Sequence, residues 1–249
     1  MSKILSVFVI LFCICGPGTI AAEPIRLGVV ENLPPYVFRN DNGELVGIDI
    51  EIIRAVFKQL GKPVTVQDYP WARLTRYIFE GKLDGVGGIY LEENEPMYPV
   101  LVAVDEPMHE TKVSIYARDS SNATLSDLAE HTEKTVGVLI GYEYGQRFEV
   151  IDGMKKIKVH TEFQLLHMLK HGRIDYAVMN EVSLLYTLKQ FSLTSSIKSV
   201  MDWVGWPIQI ALSKNNLGEE AMIITRQLSN IIKEMKADGS IERIKIRYR

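Results

Sequence analysis

A four-residue signature occurs twice in this chain and constrains its fold more than any other feature. Gly81-Lys82-Leu83-Asp84 leads into the short apolar run Gly85 to Ile89, and Gly172-Arg173-Ile174-Asp175 leads into Tyr176 to Met179. In both places a glycine ends a helical stretch, since glycine readily takes the left-handed conformation that follows a helix, and an aspartate opens a strand. Helix alternates with strand around each copy, the pattern of parallel-type sheets covered by helices. Two copies in one chain predict two α/β lobes, although a single large doubly wound sheet would alternate in the same way.

The remaining elements fit around these copies. Ile25 to Val30 reads as an opening strand, and Ile52, Ile53, Val56, Phe57 and Leu60 recur along one helical face that Gly61 ends, with Asp49 as the expected N-cap. Thr161 and Gln164 have the spacing of a capping box, ahead of a helix with Phe163, Leu166 and Leu169 on one face. Val113 to Ala117 reads as a strand, and the polar stretch Asp119 to Asn122 after it suits a crossing between lobes. Pro207 to Leu212 suits the returning strand, and a long helix from Glu219 to Ala237 with the terminal Gly239 to Tyr248 segment completes the first lobe. The expected division is therefore 23–116 and 208–249 in lobe 1 and 117–207 in lobe 2.

Charge and cysteine usage exclude several functions. With 28 basic and 31 acidic residues and no long basic run, the chain has no field to hold a polyanion, so nucleic acid is not an expected partner. Residues 1–22 carry Lys3, an apolar run from Ile4 to Cys15, Gly16-Pro17-Gly18 and the small pair Ala21-Ala22, which is the layout of a cleaved secretory signal peptide. The apolar run falls short of the roughly 18 to 20 residues that span a bilayer. Cys13 and Cys15 are the only cysteines and lie inside this segment. The exported chain would have no disulfide framework, thiolate nucleophile or thiolate-bound zinc. No Gly-x-Ser-x-Gly elbow, P-loop or His-Glu-x-x-His motif is present, so no cofactor or metal is expected. His167 and His171 share a helix face without a local third ligand.

Taken in order, several segments resemble the extracytoplasmic solute-binding proteins of family 3, the polar amino acid-type receptors of ABC importers. They are Pro35-Tyr36 and Phe38 after the first strand, Gly43-Glu44-Leu45-Val46-Gly47-Ile48-Asp49 entering a helix, and both Gly-basic-apolar-Asp units. Gly141 after the strand Thr135 to Leu139 and the ending Lys236-Ala237-Asp238-Gly239-Ser240-Ile241 complete the set. The resemblance implies the two-lobed type II periplasmic binding protein fold with two hinge strands. It further implies a monomer in the periplasm that encloses a small polar ligand and delivers it to a membrane permease.

Such a cleft must replace the hydrogen bonds its ligand loses from water. Gly87 and Gly88 would let backbone N–H groups approach a ligand, and Gly141 precedes a helical stretch able to receive an anionic group. Tyr36 and Trp71 lie in loops expected to face the cleft, where an aromatic face can stack on a planar or cationic group. Arg73 offers a planar fork for a carboxylate. Amino acid-binding members typically hold the ligand carboxylate with an arginine after the first Gly-basic-apolar-Asp strand and its ammonium with an aspartate after the second. Here Pro96 falls at or near the first position and Asn180 occupies the second. Either the ligand is not a simple α-amino acid, or substitutes such as Arg73 and Glu181 rebuild the clamp. Two other functions stay open: a periplasmic dehydratase or lyase, with Glu181 or Glu143 as a carboxyl kept protonated by burial, and a ligand sensor for a membrane receptor.

Overall fold

The computed structural model describes residues 23–91, 93, 96–123, 133–140, 153–193, 196–203 and 205–248. The leader segment with both cysteines, Gly141 and Glu143 lie outside the described residues. The first sheet has the order β4-β1-β5-β13-β6, from β1 (Ile25–Val30), β4 (Val64–Tyr69), β5 (Gly85–Ile89), β6 (Leu101–Ala103) and β13 (Pro207–Ser213), with β7 (His109–Glu110) also paired to β13. The second has the order β10-β9-β11-β8-β12, from β8 (Val113–Arg118), β9 (Thr135–Leu139), β10 (Lys155–Val159), β11 (Tyr176–Asn180) and β12 (Ile197–Trp203). A two-stranded ribbon of β2 (Phe38–Arg39) and β3 (Leu45–Val46) stands apart.

Both sheets are mixed, whereas the alternation of elements suggested parallel ones. The triads β4-β1-β5 and β10-β9-β11 are parallel. Strands β13 and β8 are antiparallel to β5 and β11. They arrive from the crossings between sheets, at the edge where the parallel strands end, and so must run back against them. The first crossing lies earlier than expected: Val113–Arg118 pairs with β11 and β12 and belongs to the second sheet, so the chain passes between sheets at Thr111-Lys112, before this strand. Local composition marks a strand but not the sheet that takes it up. The return passes alongside, with the Thr111 N–H donating to the Trp206 carbonyl (3.0 Å). A Cβ on Gly205 would fall 1.0 Å from the Thr111 carbonyl oxygen, so only glycine lets the two crossings lie this close.

The repeated signature has one mechanical role in each half. Asp84 accepts from the Arg26 N–H (2.9 Å), and the Asp84 N–H donates to the Arg26 carbonyl (2.8 Å). Asp175 accepts from the Thr135 N–H (2.9 Å) and hydroxyl (2.8 Å), and its N–H donates to the Thr135 carbonyl (3.1 Å). Each aspartate thus bolts the start of its strand to the parallel neighbour, β5 to β1 and β11 to β9. The turn carbonyls beside them are satisfied by a donor from elsewhere: Asn216 reaches the Gly81 and Leu83 carbonyls (2.9 Å each), and Arg118 reaches those of Leu169 and Ile174 (3.0 Å each).

Helices α1 (Ile48–Leu60), α2 (Trp71–Phe79), α3 (Glu162–Lys170), α4 (Glu181–Gln190), α5 (Lys214–Leu217), α6 (Glu219–Ala237) and α7 (Ser240–Ile246) cover the sheets. The apolar face of α1 and the Ile224, Leu228 and Ile232 stripe of α6 share a core with Leu27, Val29 and Ile210. The other face of the first sheet is closed by Leu74 and Ile78 of α2. The capping box forms as the spacing predicts, and Leu165, Leu166 and Leu169 of α3 are buried. Burial of three leucines stabilises this helix by about 1.5–3 kcal/mol each.

Burial pushes the Asp84 carboxyl up, but hydrogen bonds from Arg26 and Asn216 outweigh it and hold it below its usual range. At Asp175 burial acts upward too, and the Thr135 N–H and hydroxyl overcome it. A carboxylate with a lowered folded-state pKa stabilises above its unfolded pKa of roughly 4 and ceases to do so as pH falls through the folded value. Asp84→Ala is expected to cost about 1–2 kcal/mol in urea denaturation at pH 7, because the part-buried Arg26 backbone and side-chain N–H groups and the Asn216 amide lose their acceptor. That cost should shrink when the same comparison is made at pH 3.

Candidate ligand-binding cleft

The carboxyl ends of the two bolted strands face each other across the gap between the sheets. Gly88 lies near the end of β5, where the register against β13 shifts between Gln209 and Ile210, and its φ of +69° takes its backbone out of the regular ladder. A Cβ there would meet Asp49 Oδ2 at 2.5 Å, so glycine is required. Gly87 has a different role. Its missing side chain faces Ile53 Cδ1, 2.4 Å from where a Cβ would stand, and serves the packing of α1 on the sheet.

Tyr36 is held by the entrance to α1. The Asp49 N–H donates to the Tyr36 carbonyl (3.1 Å) and the Ile48 N–H to the Pro35 carbonyl (3.0 Å). Gly47, at φ +131°, lies so close that a Cβ would stand 2.1 Å from the Tyr36 carbonyl oxygen. Gly47 is the N-cap, and Asp49 does not cap: its side chain is buried and its Oδ1 accepts from His109 Nε2 at 2.5 Å. A carboxylate can only accept, which fixes the Nε2–H tautomer. The His109 ring stacks on Tyr36, with centroids 5.1 Å apart and planes 13° from parallel.

From the second half, Asn180 ends β11 and caps α4. Its Oδ1 accepts from the Val182 (2.9 Å) and Ser183 (3.2 Å) N–H groups and from the Tyr36 hydroxyl (2.9 Å). The two backbone donors fix the orientation of the amide, and Asn180 has no charge to offer. The halves touch along this line, through Tyr36–Asn180, the Ser183 hydroxyl on the Pro34 carbonyl (3.3 Å), and Phe38 against Tyr186 (centroids 5.7 Å). At the crossings Tyr90 and Trp206 pack with centroids 6.2 Å apart.

Trp71 and Arg73 are exposed on the first turn of α2, at the carboxyl end of β4, and neither joins the Tyr36–Asn180 contact. Glu181 lies at the rim. Its side chain is 44% exposed, its Oε1 is 3.6 Å from Lys112 Nζ, and its N–H donates to the Lys112 carbonyl (2.9 Å). It is therefore not the buried acid that a lyase would need. Lys112 also approaches Asp202 (3.5 Å), which accepts from the Ser114 and Ser199 hydroxyls (2.6 Å each).

Three residues of this region escape the sequence reading. His109 pairs with Asp49 across 60 positions, and no local pattern announces it. Tyr116 on β8 is buried, and burial with the Glu181, Asp202 and Glu162 charges pushes its hydroxyl up to about 12. Glu162 is the first residue of α3, at the carboxyl edge of the second sheet. Its Oε1 lies 3.5 Å from the Asn180 N–H, while its Oε2 is enclosed and has no hydrogen-bond partner. Burial pushes this carboxyl up to about 8, against the opposing pull of the Asn180 N–H. The capping box locates the start of the helix, and so the only available signal was Glu162's place one residue past Thr161.

Known proteins resemble this chain in sequence and fold. The family model of bacterial extracellular solute-binding proteins, family 3, matches residues 25–249. The ABC transporter arginine-binding protein 1 of Escherichia coli K12 is 27% identical over 237 residues, covering 91% of each chain. The histidine-binding periplasmic protein of the same organism is 25% identical over 264 aligned positions, covering 98% of this chain and 95% of its own. An ancestral arginine-binding protein solved with arginine bound superposes with a TM-score of 0.68 at 26% identity, over 90% of this chain and 97% of that one. The type II fold of two mixed, helix-flanked sheets is common to them, and the chain belongs to the bacterial extracellular solute-binding proteins, family 3.

Proposed function

We propose that this protein binds an amino acid between its two sheet-centred halves and presents it to the membrane permease of an ABC importer. The observation that carries the reading is the direct Tyr36–Asn180 hydrogen bond between the carboxyl ends of the two halves, where a ligand held by both would fasten them together. The halves act as lobes that close about the paired crossings at Thr111-Lys112 and Gly205-Trp206. Tyr36 and Trp71 supply aromatic faces, Gly88 a backbone turned out of its ladder, and Asn180 a pair of amide donors. Arg73, exposed on the first turn of α2, is the candidate cation for a ligand carboxylate, and Gly87 and Glu181 shape the site without touching the ligand. Relatives that bind arginine and histidine by name support an amino acid as the ligand class.

Export follows from the N-terminal 22 residues, removed as a signal peptide, and the working site is outside the cytoplasmic membrane. Mass spectrometry of protein recovered from the periplasm should find Glu23 as the first residue; retention of Met1 would contradict the leader.

A ligand at about 100 times its dissociation constant stabilises the folded state by about 2.7 kcal/mol, a melting shift of about 5–10 °C at this size. A thermal-shift panel of L-arginine, L-histidine, L-cystine and L-glutamine should contain at least one compound with such a shift. In Tyr36→Ala that compound is expected to bind at least about tenfold more weakly, from loss of stacking and of the hydroxyl. A panel with no shift, while sugars or organic acids give one, would overturn the amino acid reading.

A further inference from the structure

We infer that Glu162 is the anchor for the positive charge of the ligand, standing in for the neutral Asn180, and that it takes up an ammonium or guanidinium group by losing a proton. The inference rests on the amino acid reading above and names the group that reading lacks. A cation in the cleft needs an acceptor with negative charge. Asn180 has spent its one acceptor atom on Val182, Ser183 and Tyr36 and has only donors left. Glu181 and Asp202 already share Lys112 at the rim. Glu162 Oε2 is by contrast enclosed, without a partner, on the carboxyl edge of the second sheet beside the Asn180 backbone. A buried acceptor with no donor is costly unless something arrives to fill it.

The groups around this carboxyl agree. Among the described residues Tyr116 from β8 feels the charges of Glu162, Glu181 and Asp202, and Lys112 is engaged with Glu181 and Asp202. His160, two residues ahead on the chain entering α3, is exposed. None of these supplies a cation to Glu162, whose carboxyl responds only to burial and to the Asn180 N–H. In the ligand-free protein at neutral pH it is therefore mostly protonated. An entering ammonium group pairs with the carboxylate form, and the displaced proton leaves to solvent, so that net charge in the cleft stays balanced.

The reaction has a readout of its own. With a free-state pKa of about 8 and a bound-state value below about 5, binding at pH 7 releases about 0.9 proton, and the dissociation constant weakens about 50-fold from pH 8 to pH 6. Titration calorimetry of the protein with L-arginine, L-histidine, L-cystine and L-glutamine, in phosphate and in Tris at pH 7, measures that proton from the difference in heats. Glu162→Gln should abolish the release and weaken the binding compound by at least tenfold. Its melting temperature without ligand should equal or exceed that of the unsubstituted protein at pH 8, because the amide has no charge to desolvate. If an amino acid binds with no proton released and Glu162→Gln binds it within twofold, the Glu162 assignment is overturned while the amino acid reading stands. If none of the four binds, both fall. The wild-type proton count needs no variant and decides the matter should Glu162→Gln fold poorly.

Discussion

Everything in the cleft depends on where two short strands end, and that is set where they begin. Asp84 and Asp175 exchange hydrogen bonds with the backbone of Arg26 and Thr135, fixing β5 against β1 and β11 against β9. A parallel pair slipped by one residue would turn every side chain to the opposite face. The bolt forbids such a slip, and it does so a few residues ahead of the functional end. Gly88 follows Asp84 by four positions and Asn180 follows Asp175 by five. The extra backbone residue of the Gly88 irregularity would scramble the first strand if its start were free; with the start bolted, the irregularity is confined to the end that faces the second half.

Each half brings a polar group to the contact with one enclosed atom unfilled. In the first half Asp49 accepts from His109 Nε2 and the His109 ring stacks on Tyr36, while His109 Nδ1 is enclosed without a hydrogen-bond partner. In the second half Glu162 is half-buried, and its Oε2 is the enclosed atom without a partner. A raised carboxyl pKa means that the folded state loses stability as pH rises from the ordinary carboxylate value toward 8, the reverse of the behaviour of Asp84 and Asp175. The same fold therefore carries aspartates that favour folding once ionised and one glutamate that opposes it. Such a cost is a feature of sites whose missing partner is the ligand.

What the sequence discloses follows from the range of the interactions. The repeated Gly-basic-apolar-Asp unit, the capping box at Thr161 and the Glu219–Ala237 helix are local patterns, and each forms where its residues place it. The sheet that receives Val113–Arg118 is decided by partners more than 50 positions away, and a strand of five buried residues reads identically for either sheet. Gly87 and Gly88 are neighbours of one type with opposite duties, and only the alternation of faces along β5, followed to its irregularity, separates them. Asp49 had the right residue type and place for a helix cap, but the tight turn through Gly47 filled that role with the carbonyls of Pro35 and Tyr36 and freed the carboxylate for His109.

The position of His109 links the cleft to the crossings. It lies in β7, directly before the chain passes to the second sheet at Thr111-Lys112, and its ring is clamped between Asp49 on one side and Tyr36 on the other. In the proposed closure the pivot at the paired crossings lies next to this residue, and the ring could not follow the second half without breaking a buried hydrogen bond. Tyr36 is therefore fixed to the first half, and the bond that must break on opening is the one from its hydroxyl to Asn180. With the Ser183–Pro34 hydrogen bond and the Phe38–Tyr186 contact, it makes up a small set of part-buried interactions between the halves, each hydrogen bond worth about 1 kcal/mol net, few enough for the empty halves to part. Closure that lasts requires the ligand's own bonds to both sides, which is the condition for a protein that must both capture its solute and let it go.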